Sequence, residues 1–88
     1  MTIYILDFSS VTDKASLHAY LKKELRLPDY YGNNLDALHD CLSEFSADSI
    51  FVLVNTDKMI ENIGEYGEYV RAVFRDSAED KGFVVAIK

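Results

Sequence analysis

The spacing of apolar positions changes period several times along the chain. Ile3-Tyr4-Ile5-Leu6 is a short, β-branched apolar run closed by Asp7 and the Ser9-Ser10 pair, which predicts a first strand. The period then becomes three and four. Leu17, Tyr20, Leu21 and Leu25 share one face of a predicted helix, with Thr12 or Asp13 placed to cap it. Pro28 is expected to end that helix, because the residue before a proline, here Leu27, is pushed out of the helical region. The stretch Pro28-Asp29-Tyr30-Tyr31-Gly32-Asn33 reads as a loop carrying two aromatic side chains. A second helix is predicted from a cap at Asn33 or Asn34, burying Leu35, Leu38, Leu42 and Phe45, with Cys41 on the same side.

Ile50-Phe51-Val52-Leu53-Val54 is apolar throughout, a pattern expected of a strand covered on both faces. Asp57 to Ile63 predicts a short helix ended by Gly64. Another helix is expected from about Glu68 to Lys81, burying Val70, Val73 and Phe74 and closed by a left-handed Gly82 before a third strand, Phe83 to Ile87. Three strands separated by helical segments need long crossovers and therefore pair in parallel. The expected fold class is α/β, with a three-stranded parallel sheet packed against about four helices. With no repeat or linker composition, one domain over residues 1–88 is expected.

Composition narrows the function. Nine Lys plus Arg against fifteen Asp plus Glu give a net charge of −6, a field that repels phosphates and attracts basic surfaces. Direct nucleic-acid binding is disfavoured, since it needs cations to displace the counterions of the backbone. The start of the chain has no basic leader, and no stretch approaches the ~20 apolar residues of a membrane span, so a cytoplasmic location is expected. Cys41, the single cysteine, excludes an internal disulfide and reads as a small buried hydrophobe.

Signatures of catalysis are missing: there is no Walker loop, dinucleotide fingerprint, nucleophile elbow or His-Glu-x-x-His pair. His39 beside Asp40 and near Asp36 does not make a metal site, because helical neighbours one apart diverge by about 100° and a site wants three or four convergent ligands. No enzyme activity, metal or cofactor is expected. Asp36, Asp40 and Glu44 recur every four residues and predict a row of carboxylates on one face of the second helix. Like charges at that spacing cost a few tenths of a kcal/mol per pair. Asp36 suits the positive end of the helix dipole, whereas Asp40 has no basic residue three or four positions away and Glu44 sits near the negative end. Tyr30 and Tyr31 lie beside this row, and one is expected buried and the other exposed. Asp76 and Asp80 form a second pair late in the last helix.

The run Leu17-His18, Leu21-Lys22-Lys23-Glu24-Leu25, Leu27-Pro28, Tyr30-Tyr31-Gly32, Asn34-Leu35-Asp36-Ala37-Leu38 and Asp40-Cys41-Leu42 resembles the barstar family, with further likeness at Val73-Phe74-Arg75 and Gly82. The resemblance implies a two-layer barstar-like fold and an intracellular inhibitor of a guanyl-specific ribonuclease or nuclease toxin, an immunity protein or antitoxin. Such a protein would act as a monomer in a 1:1 complex with a basic secreted enzyme. By position, Tyr30 and Tyr31 would pack on the enzyme, Asn34 and Asp36 would bond its rim, and Asp40 would take the phosphate subsite. His39, Ser43 and Glu44 would flank that contact, with Asp76 and Asp80, or Glu79, peripheral. His39 and Phe45 stand where the family pattern has tryptophans, Glu44 replaces a glycine, Asp48-Ser49 lacks a proline, and Phe83 replaces a second cysteine. The alternative is a barstar-like interaction module whose basic partner is not a nuclease.

Overall fold

A computed structural model describes all residues, Met1–Lys88. Strand β1 (Thr2–Asp7) runs into a 3₁₀ turn, Phe8–Ser10, and helices α1 (Lys14–Glu24) and α2 (Leu35–Leu42) lead to β2 (Ser49–Val54). Helices α3 (Thr56–Ile63) and α4 (Glu65–Lys81) then return the chain to β3 (Val84–Ile87). The sheet is parallel with order β1-β2-β3, pairing Ile3 with Ile50 and Ile50 with Val84. The predicted α/β class holds, with four helices and three parallel strands.

The strand order explains the two layers. Both crossovers step in the same direction across the sheet, and connections of the usual right hand then lie on one face. That face carries Leu6, Phe51 and Leu53 into the core, all nearly inaccessible. The opposite face is bare of helices: Ile3, Ile5 and Val84 are exposed, and Ile50, Val52 and Val54 are half-buried. The apolar run of β2 therefore does not mean cover on both faces. It marks a central strand whose second face is shielded only by flanking strands.

Phe51 is the hub of the core. Its ring lies 5.0 Å from Tyr4, 5.3 Å from Phe45, 5.6 Å from Phe74 and 4.9 Å from Phe83, centroid to centroid. All but the Tyr4 contact, which is stacked, are edge-on, the arrangement the ring quadrupole favours. This cluster ties the segment after α2, through Phe45, to the sheet and to α4. Tyr20 adds a second tie, its hydroxyl accepting from the Asp7 backbone N–H at 2.7 Å.

Helix boundaries differ from expectation at the end of α1 and the start of α4, as well as at the end of α2. Asp13 caps α1 in a reciprocal box with Ser16, but the helix stops at Glu24, before Pro28 acts. Arg26 takes a left-handed conformation (φ 52°), and the Leu27 N–H reaches back to the Lys22 carbonyl at 2.9 Å, closing the helix in a Schellman turn. Helix α4 begins at Glu65 because Gly64, at φ 64° and ψ −138°, breaks only one residue between α3 and α4. At the far end Gly82 (φ 84°) closes α4 as expected.

Candidate protein-binding face

Three local devices build the face. The Tyr31 N–H donates to the Pro28 carbonyl at 2.9 Å, which tightens the loop after α1. Asn33 turns left-handed (φ 55°), and Asn34 then caps α2, its Oδ1 accepting from Ala37 N–H at 2.7 Å while its amide donates to the Gly32 carbonyl at 3.2 Å. The cap and Asp36 in the first turn both suit the positive end of the helix. Leu38 and Leu42 are buried, and Leu35 and Cys41 are half-buried, so Asp36, His39 and Asp40 are left facing solvent.

The carboxylate row is shorter on the helix than its spacing implies. Helix α2 ends at Leu42, with Ser43 as its cap residue and the Ser43 hydroxyl donating to the Asp40 carbonyl at 2.6 Å. Glu44 lies in the turn beyond, its N–H bonded to the Cys41 carbonyl. Asp40 and Glu44 both line a cleft of about 520 Å³, together with Leu25, Arg26, Leu27, Pro28, Tyr30, Cys41 and Phe45. The face thus combines the exposed Asp36 with a cleft whose lining mixes apolar side chains, the carboxylates of Asp40 and Glu44 and the guanidinium of Arg26.

Asp40 is exposed and makes no ion pair within 4.0 Å; the pairs in the chain are Met1 with Asp48, Lys58 with Glu61, Arg71 with Asp57 and Lys81 with Asp80. Arg26, brought to the same cleft by the Schellman turn, is a cation that sequence spacing could not place there. The two neighbouring tyrosines diverge as expected. Tyr30 is 88% exposed, while Tyr31 is 5% exposed, with its hydroxyl 2.6 Å from His18 Nδ1.

The family described as Barstar (barnase inhibitor) matches residues 1–88. The chain belongs to the barstar family. A protein of Bacillus subtilis (strain 168) named "Putative ribonuclease inhibitor YrdF" is 36% identical over 77 residues, which cover 86% of this chain and 85% of that protein.

In this barstar-family chain the residues singled out from sequence fall into two groups. Tyr30, Asp36, His39, Asp40 and Glu44 are exposed around the start, face and end of α2. Asn34 and Ser43 stand beside them, but each already spends side-chain hydrogen-bonding capacity on its own backbone. Tyr31 is turned into the core, so as placed it supports the face from beneath. Asp76 and Asp80 lie on α4, which packs on α2, and with Glu79 they border a separate acidic groove. Asp80 is paired with Lys81 at 3.8 Å, and Asp76 has no partner. Sequence reasoning missed Arg26, and it missed His18, which occupies an inward position three residues before Leu21 and seven before Leu25.

Cys41 reports on the electrostatics of the cleft. Burial raises its thiol pKa, and the negative charges of Asp40 and Glu44 raise it further. The thiolate is disfavoured, which leaves the cleft without an activated sulfur nucleophile. At pH 8 Cys41 should react with a disulfide reagent more slowly than free cysteine. Neutralising its neighbours with Asp40→Asn plus Glu44→Gln should speed the reaction several-fold; an unchanged rate would mean the two acids do not act on the sulfur.

Proposed function

We propose that this protein inhibits a guanyl-specific ribonuclease of the barnase type by laying α2 and the 28–34 loop across the enzyme's active site. The observation that carries this reading is Asp40, exposed and unpaired between Asp36 and Glu44 and bordered by the exposed ring of Tyr30. An active site built for RNA phosphates presents Arg, Lys and His. A carboxylate held out on a helix can take the place of a phosphate there, making short charge-assisted hydrogen bonds, bidentate where the partner is arginine. Tyr30 supplies the large amphipathic contact that anchors such an interface. The acid-rich α2 face gains little stability from the mutual repulsion of its charges, so binding gives those charges a use. Family membership and the Bacillus subtilis relative support the same reading. It carries with it a cytoplasmic inhibitor, acting as a monomer in a 1:1 complex and protecting its host from a basic secreted enzyme.

The test is titration of barnase with the protein while RNA cleavage is followed. Inhibition should saturate at one inhibitor per enzyme. Because a protein of net charge −6 steers towards a basic enzyme, the association rate should fall steeply as ionic strength rises from about 0.01 to 0.15 M, where the screening length shrinks from about 30 to 8 Å. Full RNA cleavage at a large molar excess of the protein would reject the reading and favour a non-nuclease partner.

A further inference from the structure

His18 lies inside the molecule at 2% exposure, and both of its ring nitrogens are engaged. Nδ1 is 2.6 Å from the Tyr31 hydroxyl and Nε2 is 2.8 Å from the Tyr66 hydroxyl. The three rings come from α1, from the loop that leads into α2 and from the first turn of α4. Tyr31 is the residue through which that loop is attached to the body of the protein, and Tyr30 and Asn34 stand on either side of it.

A neutral imidazole has one N–H donor and one bare nitrogen, and a phenol can either donate or accept. With His18 neutral, one phenol donates to the bare nitrogen and the other accepts from the ring N–H, so both contacts are hydrogen bonds and only one phenol hydrogen points elsewhere. In the imidazolium form both nitrogens donate, so both phenols must accept and their own hydrogens need new partners. No carboxylate pairs with the ring. The groups around it are the phenols of Tyr31 and Tyr66, the Lys14 ammonium 4.5 Å above the Tyr66 ring, and Cys41, close enough to Tyr31 to affect its ionisation. None of these supplies a negative charge to pair with a buried imidazolium.

We propose that His18 is a positioning residue for the binding face: by bridging Tyr31 to Tyr66 as a neutral ring, it locks the 28–34 loop, and with it Tyr30 and Asn34, in the shape presented to the partner. This rests on the face being the partner-binding surface, and it adds a pH dependence to that surface. Burial lowers the His18 pKa below 6.5, so the unfolded chain takes up the proton before the folded one. The stability supplied by the neutral ring is full above pH 6.5 and is lost as pH falls through that value towards the lower folded pKa. Acid should loosen the lock.

Amide hydrogen exchange in the free protein from pH 5 to 8, corrected for intrinsic rates, tests this with two variants. His18→Gln keeps one donor and one acceptor without a titration, and His18→Phe keeps a ring without polar atoms. At pH 8 the wild type and His18→Gln should protect the Tyr31 amide alike, while His18→Phe should lose about tenfold of that protection, with Phe51 and Leu53 in β2 unmoved. On acidification the wild type alone should lose protection at Tyr31. Wild-type protection in His18→Phe, or identical pH curves for wild type and His18→Gln, would overturn the proposal. If His18→Phe also loses protection in β2, Tyr66→Phe, which removes one hydroxyl, decides instead: it must release the loop, and a loop as protected as in the wild type overturns the lock. In parallel, barnase inhibition at pH 5.5 should be rescued in His18→Gln relative to wild type. A wild type that never inhibits barnase would reject the functional reading, while the exchange data would still decide whether His18 holds the loop.

Discussion

Asp40→Ala should weaken inhibition of barnase by roughly 30- to 1,000-fold, the equivalent of about 2–4 kcal/mol for the central residue of an interface. The reason is the surroundings of Asp40. It is exposed in the free protein, has no cation within pairing distance, and borders the cleft that Tyr30 and Glu44 share. Its hydrogen-bonding capacity is therefore unspent until a basic partner arrives. The loss should appear mainly as faster dissociation, because removing a buried charge-assisted bond leaves the partner's cation unmatched. Asp76→Ala, further along α4, should cost much less and act chiefly on the association rate. Thermal stability of Asp40→Ala should be unchanged or slightly higher, since repulsion with Asp36 one turn away is relieved. Equal inhibition by wild type and variant would remove Asp40 from the interface, and a large drop in melting temperature would make it a structural residue.

The second large effect concerns the fold. Phe51→Ala should cost about 3–5 kcal/mol, the usual range for deleting a buried phenylalanine whose cavity cannot fully collapse. Its ring is inaccessible and is contacted by aromatic rings from β1, from the turn after α2, from α4 and from the segment before β3. A chain of 88 residues has a total stability of only about 4–13 kcal/mol, so much of the margin goes. The melting temperature should fall by more than about 12 °C at 4–8 °C per kcal/mol for a domain of this size. Val52→Ala, next in sequence but on the open face of the sheet, should cost about 1 kcal/mol or less, and equal losses at the two sites would contradict the assignment of faces.

The acidic α2 face of this barstar-family protein is readable from sequence to the extent that its chemistry is local. Asn34 as the cap of α2, the inward Leu38 and Leu42, and the outward Asp36 and Asp40 all follow from spacing within two turns of helix. Glu44 shows the limit. Its spacing continues the row, yet α2 ends at Leu42, where Phe45 is drawn down onto Phe51 and Tyr4. That pull comes from the sheet and leaves no trace in the period of the helix. Arg26 shows the same limit from the other side. A left-handed arginine at the end of α1 costs backbone energy that a glycine would not, and nothing in the sequence signals it.

By itself the sequence determined the elements, their parallel pairing and the acidic face, because periodicity, caps and charge act between residues a few positions apart. Only the tertiary structure decided which tyrosine of the pair is buried, that Arg26 shares a cleft with Asp40, and that His18 joins Tyr31 to Tyr66 across 13 and 48 residues of chain. It also decided that one face of the sheet stays bare, which follows from strand order and crossover hand. These outcomes depend on contacts between segments that meet only once the chain has closed its core, and no local pattern encodes which distant group will be there.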